Sequence, residues 1–273
     1  MNQTIELIRF EEWFDVNIST AKAVWGAAAN LLPSLVQIQD RIREDFGWGI
    51  EKDRKSIHHL IDTISSIDCI IWQQDSRSRT LEHISRSLQT ANRVVIVGAA
   101  VDSEELQSCM KPGDILLVAD GAVGVFSEFD NPEDGWSKLA AVVSDADGHP
   151  YLDSALHRQV PLVLHAHGDN VENWNNLLGN NQELPPPIVL THQCPELIEG
   201  AINPGGFTDG DRAISLAIYL GIRIEDIFLC GFRTKEVGKW SGNTNFETKS
   251  RKLEWMAEVI KLSGVKWSDN HDS

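Results

Sequence analysis

The stretch Arg93-Val94-Val95-Ile96-Val97-Gly98-Ala99-Ala100 decides the fold. Val94 to Val97 are all β-branched and all apolar, so they give neither an amphipathic helical stripe nor an in-out alternation. They read as a strand buried on both faces, ended by Gly98. Working outward, runs of the same kind recur at Ile115-Leu116-Leu117-Val118, Ala140-Ala141-Val142-Val143, Pro161-Leu162-Val163-Leu164, Ile188-Val189-Leu190 and Ile227-Phe228-Leu229. Gly, Asp and helical stretches separate them. Strands buried on both faces imply a parallel sheet covered by helices. The sequence therefore predicts an α/β domain over residues 91–235: Rossmann-like, with a mostly parallel sheet and helices on both faces.

Upstream, residues 1–90 predict a helical N-terminal subdomain. Ser19-Thr20 reads as the cap of a helix through Ala21 to Leu32, with Pro33 as its end. Leu35, Ile38 and Ile42 repeat at helical spacing before Gly47 and Gly49, and two further stripes follow, one at Ile57, Leu60, Ile61 and Ile64 and one at Leu81, Ile84 and Leu88. No phosphate loop, metal spacing or nucleophile motif occurs here, so packing is the expected role. Downstream, residues 236–273 predict a polar loop from Gly238 to Thr248. A helix follows with Leu253, Met256, Ala257 and Ile260 on the face that packs on the α/β domain.

The 273 residues carry 24 Lys+Arg against 40 Asp+Glu, a formal net charge of −16. So acidic a chain is poorly suited to nucleic acid, which needs clustered cations. An anionic ligand would need a local correction by a metal or a small basic patch. The longest apolar run, Val94 to Val101, is far short of the ~20 residues that cross a bilayer, so no membrane partner is expected. Met1 to Glu6 lack a basic segment followed by an apolar one, so no signal peptide is read. Cys69, Cys109, Cys194 and Cys230 form no CxxC pair, which suits reduced thiols in a cytoplasmic protein.

In an open α/β sheet, ligands bind at the carboxyl ends of the strands. Those ends are acidic here. Asp120 follows the second strand, Asp145 and Asp147 the third, Asp169 the fourth, and Asp209 and Asp211 precede the helix at Ala213 to Leu220. Like charges on one sheet edge raise each other's pKa, and a divalent cation removes the conflict. Hard oxygen ligands favour Mg²⁺, which keeps waters and substrate phosphates, so the edge suggests a nucleotide polyphosphate. Gly205, Gly206 and Gly210 would let backbone N–H groups approach phosphate oxygens. Against this, Asp beside Gly is common turn chemistry, and Asp211 could simply cap its helix. Val97-Gly98-Ala99-Ala100 also lacks the full dinucleotide fingerprint. The recurrence of acids after consecutive strands favours the metal–phosphate reading. The rival reading uses His165, His167 and Asp169 in a zinc-dependent hydrolase, since an HxH on a strand presents both rings on one face.

Ala119-Asp120-Gly121, Ser144-Asp145-Ala146-Asp147-Gly148, His165-Ala166-His167-Gly168-Asp169-Asn170 and Gly205-Gly206-Phe207-Thr208-Asp209-Gly210-Asp211-Arg212-Ala213 stand here in a characteristic order. In that order the chain resembles the archaeal-type 6-hydroxymethyl-7,8-dihydropterin pyrophosphokinases, whose catalytic domain is similar to that of thiamin pyrophosphokinase. The resemblance covers roughly residues 40–262, including Val237-Gly238-Lys239-Trp240-Ser241, Lys249 and Lys252-Leu253. Departures are Ala146, where a larger apolar residue is usual, His192 in place of Thr, and Arg233, where an acid is expected.

The resemblance implies transfer of diphosphate from ATP to the pterin alcohol with release of AMP, a step in folate or tetrahydromethanopterin biosynthesis. It implies Mg²⁺, two ions with ATP, held by Asp120, Asp145 and Asp147, with Asp169 as a further catalytic acid. ATP and phosphate contacts fall to Gly98, Gly121, Gly205, Gly206, Thr208, Arg212 and Lys239. Substrate contacts fall to His165, His167, Asn170, Gln193, Asp209 and Asp211. A nucleotide-sugar-binding relative without kinase activity is the remaining alternative. A homodimer is the default assembly on the frequency of such oligomers.

Overall fold

The computed structural model describes residues 18–242 and 246–267. The reading of Met1 to Glu6 lies outside the described residues, as does part of the loop read from Gly238 to Thr248. The sheet has six strands, β1 (Arg93–Val97), β2 (Asp114–Ala119), β3 (Leu139–Ser144), β4 (Leu162–His165), β5 (Ile188–Thr191) and β6 (Ile227–Cys230), in the order β5-β4-β3-β2-β1-β6. Every pairing is parallel: Val94, for example, sits beside Ile115 of β2 and Ile227 of β6. All six strands fall on the six apolar runs, as a sheet buried on both faces requires.

Nine helices surround the sheet among the described residues: α1 (Ile18–Phe46), α2 (Ile50–Ser66), α3 (Gln74–Gln89), α4 (Ser103–Cys109), α5 (Glu133–Trp136), α6 (Leu152–His157), α7 (Val171–Asn180), α8 (Asp209–Tyr219) and α9 (Phe246–Ser263). A 3₁₀ stretch, Asp120–Glu128, follows β2. The period-2 geometry of a strand sends alternate residues to opposite faces. Val95, Val97, Leu116 and Val118 enter one core with Ile57 and Leu60 of α2, Leu106 of α4 and Trp174 of α7. Val94, Ile96, Leu117 and Val143 enter the other with Leu35 and Ile38 of α1, Leu81 and Ile84 of α3, Ile214 of α8 and Val259 of α9. The helices before residue 91 thus bury their apolar stripes in the same two cores as the sheet.

One expectation is overturned. Pro33 does not end a helix: α1 runs through it, and Ser19 and Thr20 are already helical instead of capping. An interior proline costs about 3 kcal/mol. Beyond it Leu35, Ile38 and Ile42 are 0%, 3% and 2% exposed. Burying three aliphatic side chains is worth about 1.5–3 kcal/mol each, which outweighs the break.

The chain steps outward from β1 to β5 with its crossovers on one face, then returns through α8 on the other face to β6 beside β1. Their exits diverge at the crevice between β1 and β6, the place where an open α/β sheet receives ligands.

Candidate active site

The site is built on two turns. β2 ends at Ala119, and Asp120 takes a positive φ of 42°, a conformation that Asp tolerates better than most residues. β3 ends at Ser144, which is fully buried; its hydroxyl donates to Asp120 Oδ1 and accepts the Ala146 N–H at 2.8 Å. That bond holds Ala146 at φ 70°. A left-handed alanine costs about 1–2 kcal/mol, so the turn needs such support. Asp145 and Asp147 flank it. One carboxylate oxygen from each of Asp120, Asp145 and Asp147 lies within 4.8 Å of the others.

Burial, followed by the charges of Asp209, Asp145 and Asp147, pushes the Asp120 carboxyl well above the usual carboxylate range. Burial and Asp145 also raise Asp147. Burial opposes ionisation of Asp145 too, yet its hydrogen bond to His167, with the charges of His167, Arg212 and Lys252, holds it well below that range. Asp145 Oδ1 is buried and has no hydrogen-bond partner. Three mutually repelling carboxylates with an unpartnered buried oxygen are what a hard divalent cation would satisfy, so the residues fit Mg²⁺.

His167 Nε2 meets Asp145 Oδ2 at 3.2 Å, and Nδ1 meets Asp169 Oδ1 at 2.5 Å. Burial disfavours the charged ring, but the two carboxylates push it up to about 9. In the metal-free protein both ring nitrogens of His167 are engaged by these carboxylates. His165 is buried, its Nδ1 is 3.0 Å from Thr191 Oγ1, and burial holds it neutral. Among the described residues, the aspartate trio is the group that brings three ligand atoms together; His165, His167 and Asp169 form no such group.

The trio opens into a cleft that is continuous with solvent. Of the expected phosphate contacts, Gly98, Thr208 and Arg212 line it. Gly121, Gly205, Gly206 and Lys239 do not. A Cβ on Gly205 would meet the Leu35 carbonyl oxygen at 2.7 Å, and one on Gly121 would meet the Trp240 carbonyl oxygen at 2.5 Å, so both serve close packing of the chain on itself. Lys239 Nζ pairs with Glu128 and lies 4.5 Å from the Trp240 ring centre.

Of the expected substrate contacts, His167, Gln193 and Asp209 line the cleft. His165 lies beneath it. Asn170 is buried and braces the turn, donating to Asp145 O at 2.9 Å and to His165 O at 2.7 Å. Thr208 is the N-cap of α8, and Asp211, the third helical residue, closes a capping box with it: its carboxylate accepts from the Thr208 N–H at 3.1 Å, the Thr208 hydroxyl at 2.8 Å and the Phe207 N–H. That cap aims Asp209 and Arg212, whose charged groups are 3.2 Å apart, into the cleft. Burial and Asp145 push Asp209 up to about 8.

Residues that motif reading did not assign complete the walls. Lys249 and Lys252 on α9 line the cleft, as do Trp48, Phe207, Phe232 and Trp240. Lys252 lowers Asp145 and Asp169, and Lys249 lowers Asp147, through their charges. The resemblance includes Lys249 and Lys252 but gives them no role, and their place beside the acids follows from the packing of α9.

No protein-family model matches the chain. A 6-hydroxymethyl-7,8-dihydropterin pyrophosphokinase from Pyrococcus furiosus is 30% identical over 233 residues, 81% of this chain and 89% of the relative. A protein of the same name from Methanothermobacter thermautotrophicus is 34% identical over 195 residues, covering 66% and 70%. Another from Methanocaldococcus jannaschii is 27% identical over 187 residues, covering 66% and 71%. With the acidic edge of the parallel sheet and near full-length similarity to the first of these relatives, the chain belongs to the 6-hydroxymethyl-7,8-dihydropterin pyrophosphokinase family.

Proposed function

We propose that the chain moves the β,γ-diphosphate of ATP onto the hydroxymethyl oxygen of 6-hydroxymethyl-7,8-dihydropterin and releases AMP. The observation that carries this reading is the convergence of Asp120, Asp145 and Asp147 in a cleft whose cations include Arg212, Lys249 and Lys252. Acids to hold a divalent ion and cations to hold a polyphosphate lie on one sheet edge. Asp120, Asp145 and Asp147 would hold Mg²⁺, which supplies charge stabilisation for the phosphates.

The substrate hydroxyl oxygen attacks the β-phosphorus. A new O–P bond forms, and the bond from the β-phosphorus to the bridging oxygen breaks. Its electron pair leaves on AMP, and the hydroxyl proton goes to a carboxylate. Asp211 is committed to its cap and Asp169 to His167. Asp209, which faces Arg212 in the cleft, would take that proton at an Oδ atom. Arg212, Lys249 and Lys252 orient the polyphosphate, and the glycine backbone at the β1–β6 crevice admits the nucleotide. The product would enter folate or tetrahydromethanopterin biosynthesis in the cytoplasm.

Incubation with ATP, Mg²⁺ and the pterin alcohol, followed by ³¹P NMR, tests this. AMP and pterin diphosphate should appear in equal amounts. Release of ADP, or tight binding of a nucleotide sugar with no AMP formed, would overturn it.

A further inference from the structure

The cleft is wired to the N-terminal helices through a buried polar chain. Asp53 lies in the first turn of α2, and only 5% of it is exposed. Its carboxylate does not serve its own helix. Oδ1 accepts the Gly168 N–H at 2.9 Å, in the turn between His167 and Asp169. Oδ2 accepts from Gln193 Nε2 at 2.9 Å, just past β5. Gln193 Oε1 in turn faces Arg212 Nη2 at 3.4 Å, and Arg212 Nη1 reaches Asp209 at 3.2 Å. Arg43 of α1 closes the back of this chain, 3.6 Å from Asp53 and donating to the Gln193 carbonyl at 2.8 Å. Asp53, Arg43, Gln193 and Arg212 are each 5–6% exposed. Gly168 fits tightly on α2, because a Cβ there would meet Lys52 Cβ at 2.6 Å.

We propose that Asp53 is a positioning residue for the reaction: through Gly168 and Gln193 it sets the placement of the His167–Asp169 turn and of Arg212. The inference rests on the pyrophosphokinase reading for its kinetic consequence, though not for its geometry. The Gln193 amide bonds Asp53 through Nε2 and faces Arg212 through Oε1, so it couples the two. Removing the carboxylate charge places an Asn amide donor against the Gln193 donor, or leaves the Gly168 N–H unpaired. The turn and Arg212 then lose their shared anchor.

The test uses Asp53→Asn and, independently, Gly168→Ala, which pushes the same turn off α2. Each should lower kcat by about tenfold to a hundredfold, the scale of a small misplacement at a reacting centre, with a smaller change in KM. If Asp53→Asn fails to fold, Gly168→Ala carries the kinetic test. Combining Asp53→Asn with Gln193→Glu exchanges donor and acceptor across the pair, keeps the charge between Arg43 and Arg212, and should recover activity. Backbone and side-chain NMR signals supply a readout independent of turnover: Asp53→Asn should shift those of His167, Asp169 and Arg212. If wild type makes no AMP, the function proposal falls and the NMR shifts alone decide this one. Shifts confined to the neighbours of Asp53, or kcat within twofold of wild type in the folded variants, would overturn it.

Discussion

Ser144→Ala is the perturbation whose effect follows most directly from the geometry. The Ser144 hydroxyl is fully buried and joins the two acidic turns, bonding Asp120 Oδ1 on one side and the Ala146 N–H, at 2.8 Å, on the other. Alanine leaves a buried N–H without a partner and takes a donor from a buried carboxyl. Each loss costs about 1–3 kcal/mol. The sum, roughly 2–6 kcal/mol, is a large share of a stability that is about 5–15 kcal/mol for most domains. For a chain of this size it should lower the melting temperature by roughly 4–24 °C. The assay is urea unfolding of metal-free protein, because a ligand bound to the native state would mask the loss. Ser215→Ala is the matched comparison. Ser215 is equally buried on α8, but its hydroxyl has no partner. Its removal should be neutral or stabilising, since it deletes an unsatisfied polar group. If both variants unfold at the same urea concentration as wild type, the assignment of Ser144 as the joint between the aspartate turns is refuted.

Asp145→Asn and Asp147→Asn should both abolish AMP formation, yet move stability in opposite directions. The fold favours the charged form of Asp145, so its replacement should lower the metal-free melting temperature, whereas Asp147 is held in repulsion and its neutralisation should raise it. Asp209 is raised to about 8 and His167 to about 9 in the folded protein. The stability each contributes is present below its unfolded value and lost as pH rises through the folded one. Metal-free protein should therefore melt at progressively lower temperature from pH 6.5 to 9, and added Mg²⁺ should flatten that slope; a melting temperature that rises over this window would count against the site's electrostatics. Gly98→Ala should destabilise the protein and weaken ATP binding measured by calorimetry, because its Cβ would lie 2.6 Å from the Gly231 carbonyl oxygen at the β1–β6 crevice.

What was legible in the sequence was what is encoded locally. Strands such as Val94–Val97 announce themselves because burial on both faces leaves no polar position to break the run. Acids placed just after strands are legible because sheet topology alone brings them to one edge. Pro33 misled, because its local cost is overruled by Leu35, Ile38 and Ile42 entering a core shared with distant residues such as Leu81, Val94 and Ile214. The assignments within the site blurred for the same reason. Asp211 and Asp209 are two residues apart and chemically identical, but helix geometry turns one onto the backbone as a cap and the other into the cleft. Gly205 resembles a phosphate-binding glycine until α1 is seen against it. Asp53 carries no motif; its role exists because α2 meets the loops after β4 and β5.

The account stands most directly on where a divalent ion binds. Crystals grown with Mn²⁺ and a non-hydrolysable ATP analogue, measured for anomalous scattering, would show it. Manganese should appear between the carboxylates of Asp120, Asp145 and Asp147, with the phosphates of the analogue on the same ion and the Lys249 and Lys252 side chains beside them. Manganese bound elsewhere, or an analogue seated away from those three carboxylates, would contradict it.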